Sequence, residues 1–259
     1  MNRVTIVKLG GATLGGHDTA IEDMVKLQQQ GIPLVIVHGG AKVVTEWLSR
    51  QGIATRFVRG ERVTDEAALE MVTAVLGGLV NKEIVAAIND LGGRAVGITG
   101  IDGAMIQGKI RGGEMGYVAS IVKIDTALPE ALSQSGYIPV VAPLSMYSFE
   151  RPDGAPLMLN VNGDTAAGRI AAALNADKLV FLTDVPGLRD GSNKLICKLS
   201  PDDARELLAS GVASGGMAAK IEACLVALTT VPMTRIIDGR VPHALLNEIE
   251  GKGDGTTIG

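Results

Sequence analysis

Five short apolar runs, each ending in glycine or polar turn residues, constrain the fold of this chain more than any other feature. They are Val4-Thr5-Ile6-Val7, Leu34-Val35-Ile36-Val37, Ala95-Val96-Gly97-Ile98, Ile138-Pro139-Val140-Val141 and Leu179-Val180-Phe181-Leu182. Hydrophobicity inside them is continuous rather than alternating, so both faces of each strand need cover, as parallel strands do. Segments with helical spacing lie between them, at 19–30, 42–51, 65–91, 127–135 and 165–174. Strand, turn, helix, strand is the order that right-handed crossovers require. It predicts an α/β fold, a three-layer αβα sandwich around an open, mainly parallel central sheet.

Two stretches break the rhythm. Residues 104–124 carry Gly108, Gly112, Gly113 and Gly116 at short spacing and read as hairpins; 147–159, with Pro152, Asp153-Gly154 and Pro156, reads as another loop or hairpin. Such hairpins either cover a pocket or decorate the surface. No linker divides the 259 residues, so any boundary is soft, and we place it near Ala176: 1–176 as one lobe, 177–259 as another. A net charge of −4 provides no general field for nucleic acid, so an anionic ligand needs local cations. Cys197 and Cys224 have neither metal-ligand spacing nor disulfide density and read as free, buried thiols. No signal segment precedes the first strand and no apolar stretch reads as a membrane span, which predicts a soluble, cytoplasmic protein.

Six motifs sit at strand ends or helix starts. Lys8-Leu9-Gly10-Gly11 follows the first strand, where glycines let backbone amides approach phosphate oxygens; a lysine before a tight turn is the plainer reading. His38-Gly39-Gly40-Ala41 leads into a helix whose first amides suit a carboxylate or phosphate, and His38 beside that turn reads as structural rather than catalytic. In Gly60-Glu61-Arg62-Val63-Thr64-Asp65, Thr64 or Asp65 can cap the next helix, and Arg62 is either a carboxylate fork or a surface arginine. Asn160-Val161-Asn162-Gly163-Asp164 precedes an alanine-rich helix, for which Asp164 is a natural N-cap. Thr183-Asp184-Val185-Pro186-Gly187 ends a buried strand, and Gly215-Gly216-Met217-Ala218-Ala219-Lys220 sets a lysine one turn inside a helix. Neither a Walker A loop nor a dinucleotide fingerprint is present around Gly10-Gly11.

Taken in order, these motifs resemble the amino-acid kinase family over essentially the whole chain, from Lys8 to Ile258, and within it the branch that phosphorylates N-acetyl-L-glutamate for arginine biosynthesis. The resemblance implies ATP as phosphoryl donor, with Mg²⁺ carried by the nucleotide rather than by a protein cage. It implies Lys8 and Lys220 stabilising the transferring group, with Asp164 holding both lysines. Gly40, Ala41, Arg62 and Asn160 would bind the acylated amino acid. Gly10, Gly11, Thr183, Asp184, Gly187, Leu188, Ser214, Gly216 and Met217 would shape the nucleotide site. The chemistry is consistent: a carboxylate nucleophile is already ionised at neutral pH, so positioning and charge neutralisation suffice and no general base is needed. The product would be an acyl phosphate. The first lobe would bind the acceptor and dimerise, and the second would bind ATP. With no helix ahead of the Lys8 motif, the resemblance implies a homodimer that arginine does not inhibit.

Two positions depart from the family pattern: Ala41 stands where a third glycine is usual, and Glu61 where an apolar residue is common. Both touch the acceptor side. Alternatives on the same fold are a kinase of carrier-bound 2-aminoadipate or glutamate, for which Arg56, Arg59 and Arg111 would grip an acidic carrier, or a uridylate or isopentenyl phosphate kinase. A non-catalytic regulatory module is a third, though it has no need of two lysines and their organising aspartate.

Overall fold

A computed structural model describes residues 4–10 and 19–259. Eight strands form the central sheet in the order β12-β14-β13-β11-β1-β2-β8-β5. Its middle is built from the predicted runs: β1 (Thr5–Leu9), β2 (Leu34–His38), β5 (Ala95–Thr99), β8 (Ile138–Ala142) and β11 (Lys178–Thr183). β13 (Thr234–Asp238) lies beside β11, followed by β14 (Thr256–Ile258) and the two-residue β12 (Lys198–Leu199). Every pairing is parallel except β13 with β14. The expectation of an open, mainly parallel sheet therefore holds.

Strand pleating divides the core into two layers. Ile6, Val37, Val141, Phe181 and Ile236 face α6 (Gly163–Ala173) and α8 (Gly215–Ala227). Val7, Leu9, Ile36, Val140 and Leu182 face the opposite way. There they meet α1 (Ala20–Gln29), α4 (Asn81–Asp90) and α9 (Ala244–Ile249). Each such side chain, fully buried, contributes about 1.5–3 kcal/mol. The remaining α-helices among the described residues are α2 (Ala41–Arg50), α3 (Glu66–Val72), α5 (Ala127–Gln134) and α7 (Pro201–Ala209).

The expected helix 65–91 runs from α3 to α4 through eight residues of π-helix, Thr73–Val80. Within it, the 25 residues Glu66–Asp90 are long and apolar enough to cross a membrane by length and composition, contrary to the sequence reading. Leu76, Val80, Ile84 and Ile88 pack instead into the core, where their apolar face is used. Residues 104–124 form an antiparallel pair, β6 (Ile106–Ile110) with β7 (Ala119–Ile124), as expected of hairpins. β9 (Leu144–Tyr147) and β10 (Met158–Asn160) make a second pair, and β6 joins β9 to give one four-stranded sheet. A short hairpin, β3 (Phe57–Val58) with β4 (Glu61–Arg62), turns through Arg59 and Gly60, both at positive φ. Cys224 is buried and Cys197 exposed; both are free, so only one matches the expected buried thiol.

Candidate active site

Lys8 is the fourth residue of β1, and pleating puts it on the same face as Ile6, toward α6 and α8. Its Nζ lies 2.7 Å from Asp164 Oδ1, and Lys220 Nζ lies 3.1 Å from Asp164 Oδ2. All three side chains are nearly buried. The sequence made Asp164 the natural helix cap, but Asn162 takes that role, its Oδ1 accepting from the amides of Asp164 and Thr165. Asp164 is thereby released to hold the lysines. Burial works to raise its carboxyl pKa, the two ammonium groups work to lower it, and the balance falls below the ordinary 3.8. Two cations on one anion leave a positive floor, the local cation source that a chain of negative net charge requires for an anionic ligand.

Close helix packing brings the trio together. A Cβ on Gly168 would stand 2.5 Å from the Ala223 carbonyl oxygen, so α6 and α8 touch backbone to backbone. Asp164 lies one turn before Gly168, and Lys220 just under one turn before Ala223. Lys220 Nζ also reaches the Gly216 carbonyl at 3.4 Å.

A cavity of about 200 Å³ opens beside Lys8 and Asp164, and Gly40, Ala41, Arg62, Asn160 and Gly216 also line it. Gly40 precedes α2 with φ 154° and no side-chain cap, so the first amides of the helix keep their anion-binding character. A Cβ on Gly40 would come 2.6 Å from Leu76 Cδ2 of the π-helical segment. Ala41 is exposed as the first residue of α2, where a Cβ is tolerated, so losing a third glycine does not disturb the turn. Arg62 is buried rather than a surface residue. Its NH2 donates to the Ala41 carbonyl at 2.8 Å and to Thr45 Oγ1 at 2.7 Å, and it stacks on Phe57 at 4.9 Å. Asp65 caps α3 through the Ala68 amide, which leaves the Thr64 hydroxyl to accept from Asn160 Nδ2 at 2.9 Å.

A sequence profile of the Amino acid kinase family matches residues 3–238. The chain belongs to that family. An acetylglutamate kinase of Dehalococcoides mccartyi is 47% identical over 257 residues, spanning 99% of this chain and 94% of that protein. Another, from Heliobacterium modesticaldum, is 43% identical over 276 residues, covering 99% and 92%. Among solved structures, N-acetylglutamate synthase from Neisseria gonorrhoeae, complexed with coenzyme A and N-acetyl-glutamate, superposes with a TM-score of 0.84 at 28% identity. It covers 99% of this chain and 59% of that one.

The residues that the family resemblance assigns to the nucleotide are placed unevenly. Gly10 closes against β11, its amide donating to the Leu182 carbonyl at 2.9 Å; Gly11 lies outside the described residues. Thr183 ends β11 and donates to the exposed Asp184 at 3.3 Å. Gly187 and Leu188 are buried against β14: a Cβ on Gly187 would meet Thr256 Oγ1 at 2.5 Å, and the Leu188 amide donates to that hydroxyl. Ser214 is the N-cap of α8 without a side-chain cap bond, and Met217 packs on the core. His38 is wholly buried. It accepts at Nε2 from Asn81 and donates from Nδ1 to the Gly39 carbonyl, and burial chiefly takes its pKa down to about 4. It is a neutral structural residue, as the sequence suggested. The sequence reading missed Phe57 and Pro143 in the cavity wall. No chemical signal marks either one, because each lines the site only through tertiary contact.

Proposed function

We propose that this chain transfers the γ-phosphoryl group of ATP to the side-chain carboxylate of N-acetyl-L-glutamate, giving N-acetyl-L-glutamyl 5-phosphate and ADP, in arginine biosynthesis. One observation carries the reading. Asp164 holds both Lys8 and Lys220, and Lys8 and Asp164 line a cavity whose wall supplies a helix N-terminus, Arg62 and Asn160. The acceptor carboxylate attacks phosphorus, the bond from phosphorus to the bridging oxygen of ADP breaks, and no proton need move. Lys8 and Lys220 act as catalytic cations on the charge shared by attacking and leaving oxygens, and Asp164 holds them in position.

Gly40, Ala41, Arg62 and Asn160 receive the acylated amino acid. Gly10 and Gly11, Thr183, Asp184, Gly187 and Leu188, and Ser214, Gly216 and Met217 form the ATP side. Both Asp164 oxygens already face ammonium groups, so Asp164 suits lysine positioning rather than Mg²⁺ ligation; the ion enters with ATP and shields its phosphates. Residues 1–176 would thus serve the acceptor and dimerisation, and 177–259 the nucleotide. We place the protein as a homodimer in the cytoplasm, where ATP is available. A carrier-bound acceptor is less well supported, since Arg56 is already paired with Glu114 and Arg111 with Glu61.

The test is incubation with ATP, Mg²⁺ and hydroxylamine, offering N-acetyl-L-glutamate, 2-aminoadipate derivatives or UMP in parallel. Hydroxylamine converts an acyl phosphate to a coloured hydroxamate and leaves phosphate esters and anhydrides unchanged. Colour with N-acetyl-L-glutamate that disappears in Lys8→Ala is the expected result. ADP release without hydroxamate would overturn the carboxylate acceptor.

A further inference from the structure

The β3–β4 hairpin forms one wall of the cavity, contributing Phe57, Gly60, Glu61 and Arg62. Strands of two residues each cannot hold such a wall alone. At its base, the Thr64 amide donates to the Met115 carbonyl and the Tyr117 amide to the Thr64 carbonyl, so the chain leaving the hairpin is stitched to 115–117. Beyond the base, two charge pairs reach from the hairpin region to the segment between β6 and β7. Arg56 with Glu114 is more than half exposed on both sides, and such pairs hold little. Glu61 with Arg111 differs. Glu61 is 18% exposed, and its two oxygens accept from both terminal nitrogens of the guanidinium, Oε1 from NH1 at 3.0 Å and Oε2 from NH2. A two-point fork fixes direction as well as distance. Glu222, on α8 two residues beyond Lys220, adds its attraction to the same guanidinium.

The tip of the hairpin bears on α8 as well. Gly60, at φ 81°, sits where a Cβ would come 3.1 Å from backbone atoms of Gly215 and Gly216. Unpaired, the Glu61 carboxylate would face an anionic acceptor from the cavity wall.

We propose that Arg111 is a positioning residue for the acceptor site: its fork on Glu61 holds the β3–β4 hairpin closed against the acceptor cavity and the start of α8. Arg111 itself does not line the cavity. Its effect is to keep Arg62 and Phe57 in the wall while neutralising Glu61. This rests on the acceptor assignment above, so one readout must be independent of turnover.

Hydrogen exchange of the 57–62 amides without substrate supplies it. Arg111→Gln and Glu61→Gln should each speed that exchange, and Arg111→Lys should fall between them and wild type, since an ammonium cannot make the fork. In the hydroxamate assay the same two variants should raise the KM for N-acetyl-L-glutamate by about three- to tenfold. The KM for ATP should stay unchanged and kcat within about twofold, since the catalytic cations are untouched. The double variant should remain defective, because removing repulsion does not restore the latch. Unchanged exchange in both single variants overturns the latch whatever the activity. Recovery of wild-type KM in the double variant overturns it too, because the defect would then lie in the charge each single variant leaves unpaired and not in the lost latch. If wild type makes no hydroxamate, the acceptor assignment fails while the exchange experiment still decides the latch.

Discussion

Under the proposed function, one carboxylate, Asp164, organises both cations that act on the transferring group. Replacing Lys8 or Lys220 by alanine should lower kcat by about 10²–10³-fold, the usual loss when one preorganised charge is withdrawn from a transition state; single-turnover hydroxamate formation would measure it. Asp164→Asn strands two ammonium groups near each other in a buried site and should cost about 3–5 kcal/mol in urea unfolding at pH 7. The sign with pH follows from the lowered carboxyl pKa. Its contribution is complete above the unfolded value and is lost as pH falls through the folded one, so wild type and variant should converge in acid. His38 acts in a different pH window. With a folded pKa near 4 against 6.5, the unfolded chain binds the extra proton between those values, so stability falls as pH drops from 6.5 to 4. The effect is on the order of 3 kcal/mol and should flatten in His38→Gln; the kcat profile should show no inflection near 6.5. The residue types at Lys8, Asp164 and Lys220 were legible in the sequence. Local pattern read Asp164 only as a helix cap, and the family resemblance alone gave it to the lysines; in the structure Asn162 caps α6 and Asp164 pairs with both lysines.

At the scale of elements, the contact between α6 and α8 sets the distance from Asp164 to Lys220. Gly168→Ala would drive a Cβ into the Ala223 backbone, which has no rotamer by which to yield. The expected outcome is a loss of about 1–3 kcal/mol from overpacking. A larger fractional fall in kcat should accompany it as the helices part, and the comparison of thermal unfolding with turnover checks both. Helix periodicity marked the segment 65–91 but could not show its π-helical stretch, since apolar residues dominate that stretch on every side. Leu76 and Val80 of that stretch lie against Gly40, where a Cβ would meet Leu76 Cδ2 at 2.6 Å and where φ 154° is a backbone conformation that side chains rarely adopt.

The whole molecule depends on a strand that hydrophobic continuity did not reveal. β13 reads Thr-Arg-Ile-Ile-Asp, with only two apolar residues in succession, yet it lies in the sheet between β11 and β14. Arg235 is buried there because Glu248 of α9 accepts from its Nε at 2.8 Å and from Lys178 Nζ at 2.8 Å, while Arg235 NH2 donates to the Gly253 carbonyl. Glu248→Gln should therefore loosen the final strands and cost about 3–5 kcal/mol in global unfolding. Sedimentation equilibrium belongs to this scale too, with a homodimer expected and a monomer across the micromolar range against it. By itself the sequence determined the α/β class, the five parallel strands and the residue types at the site, because these follow from local apolar patterning and turn chemistry. Only the tertiary structure decided which residues meet. The pairing of Lys8 with Asp164, the burial of Arg62 and the place of β13 depend on contacts between distant segments, whose energy no local pattern records.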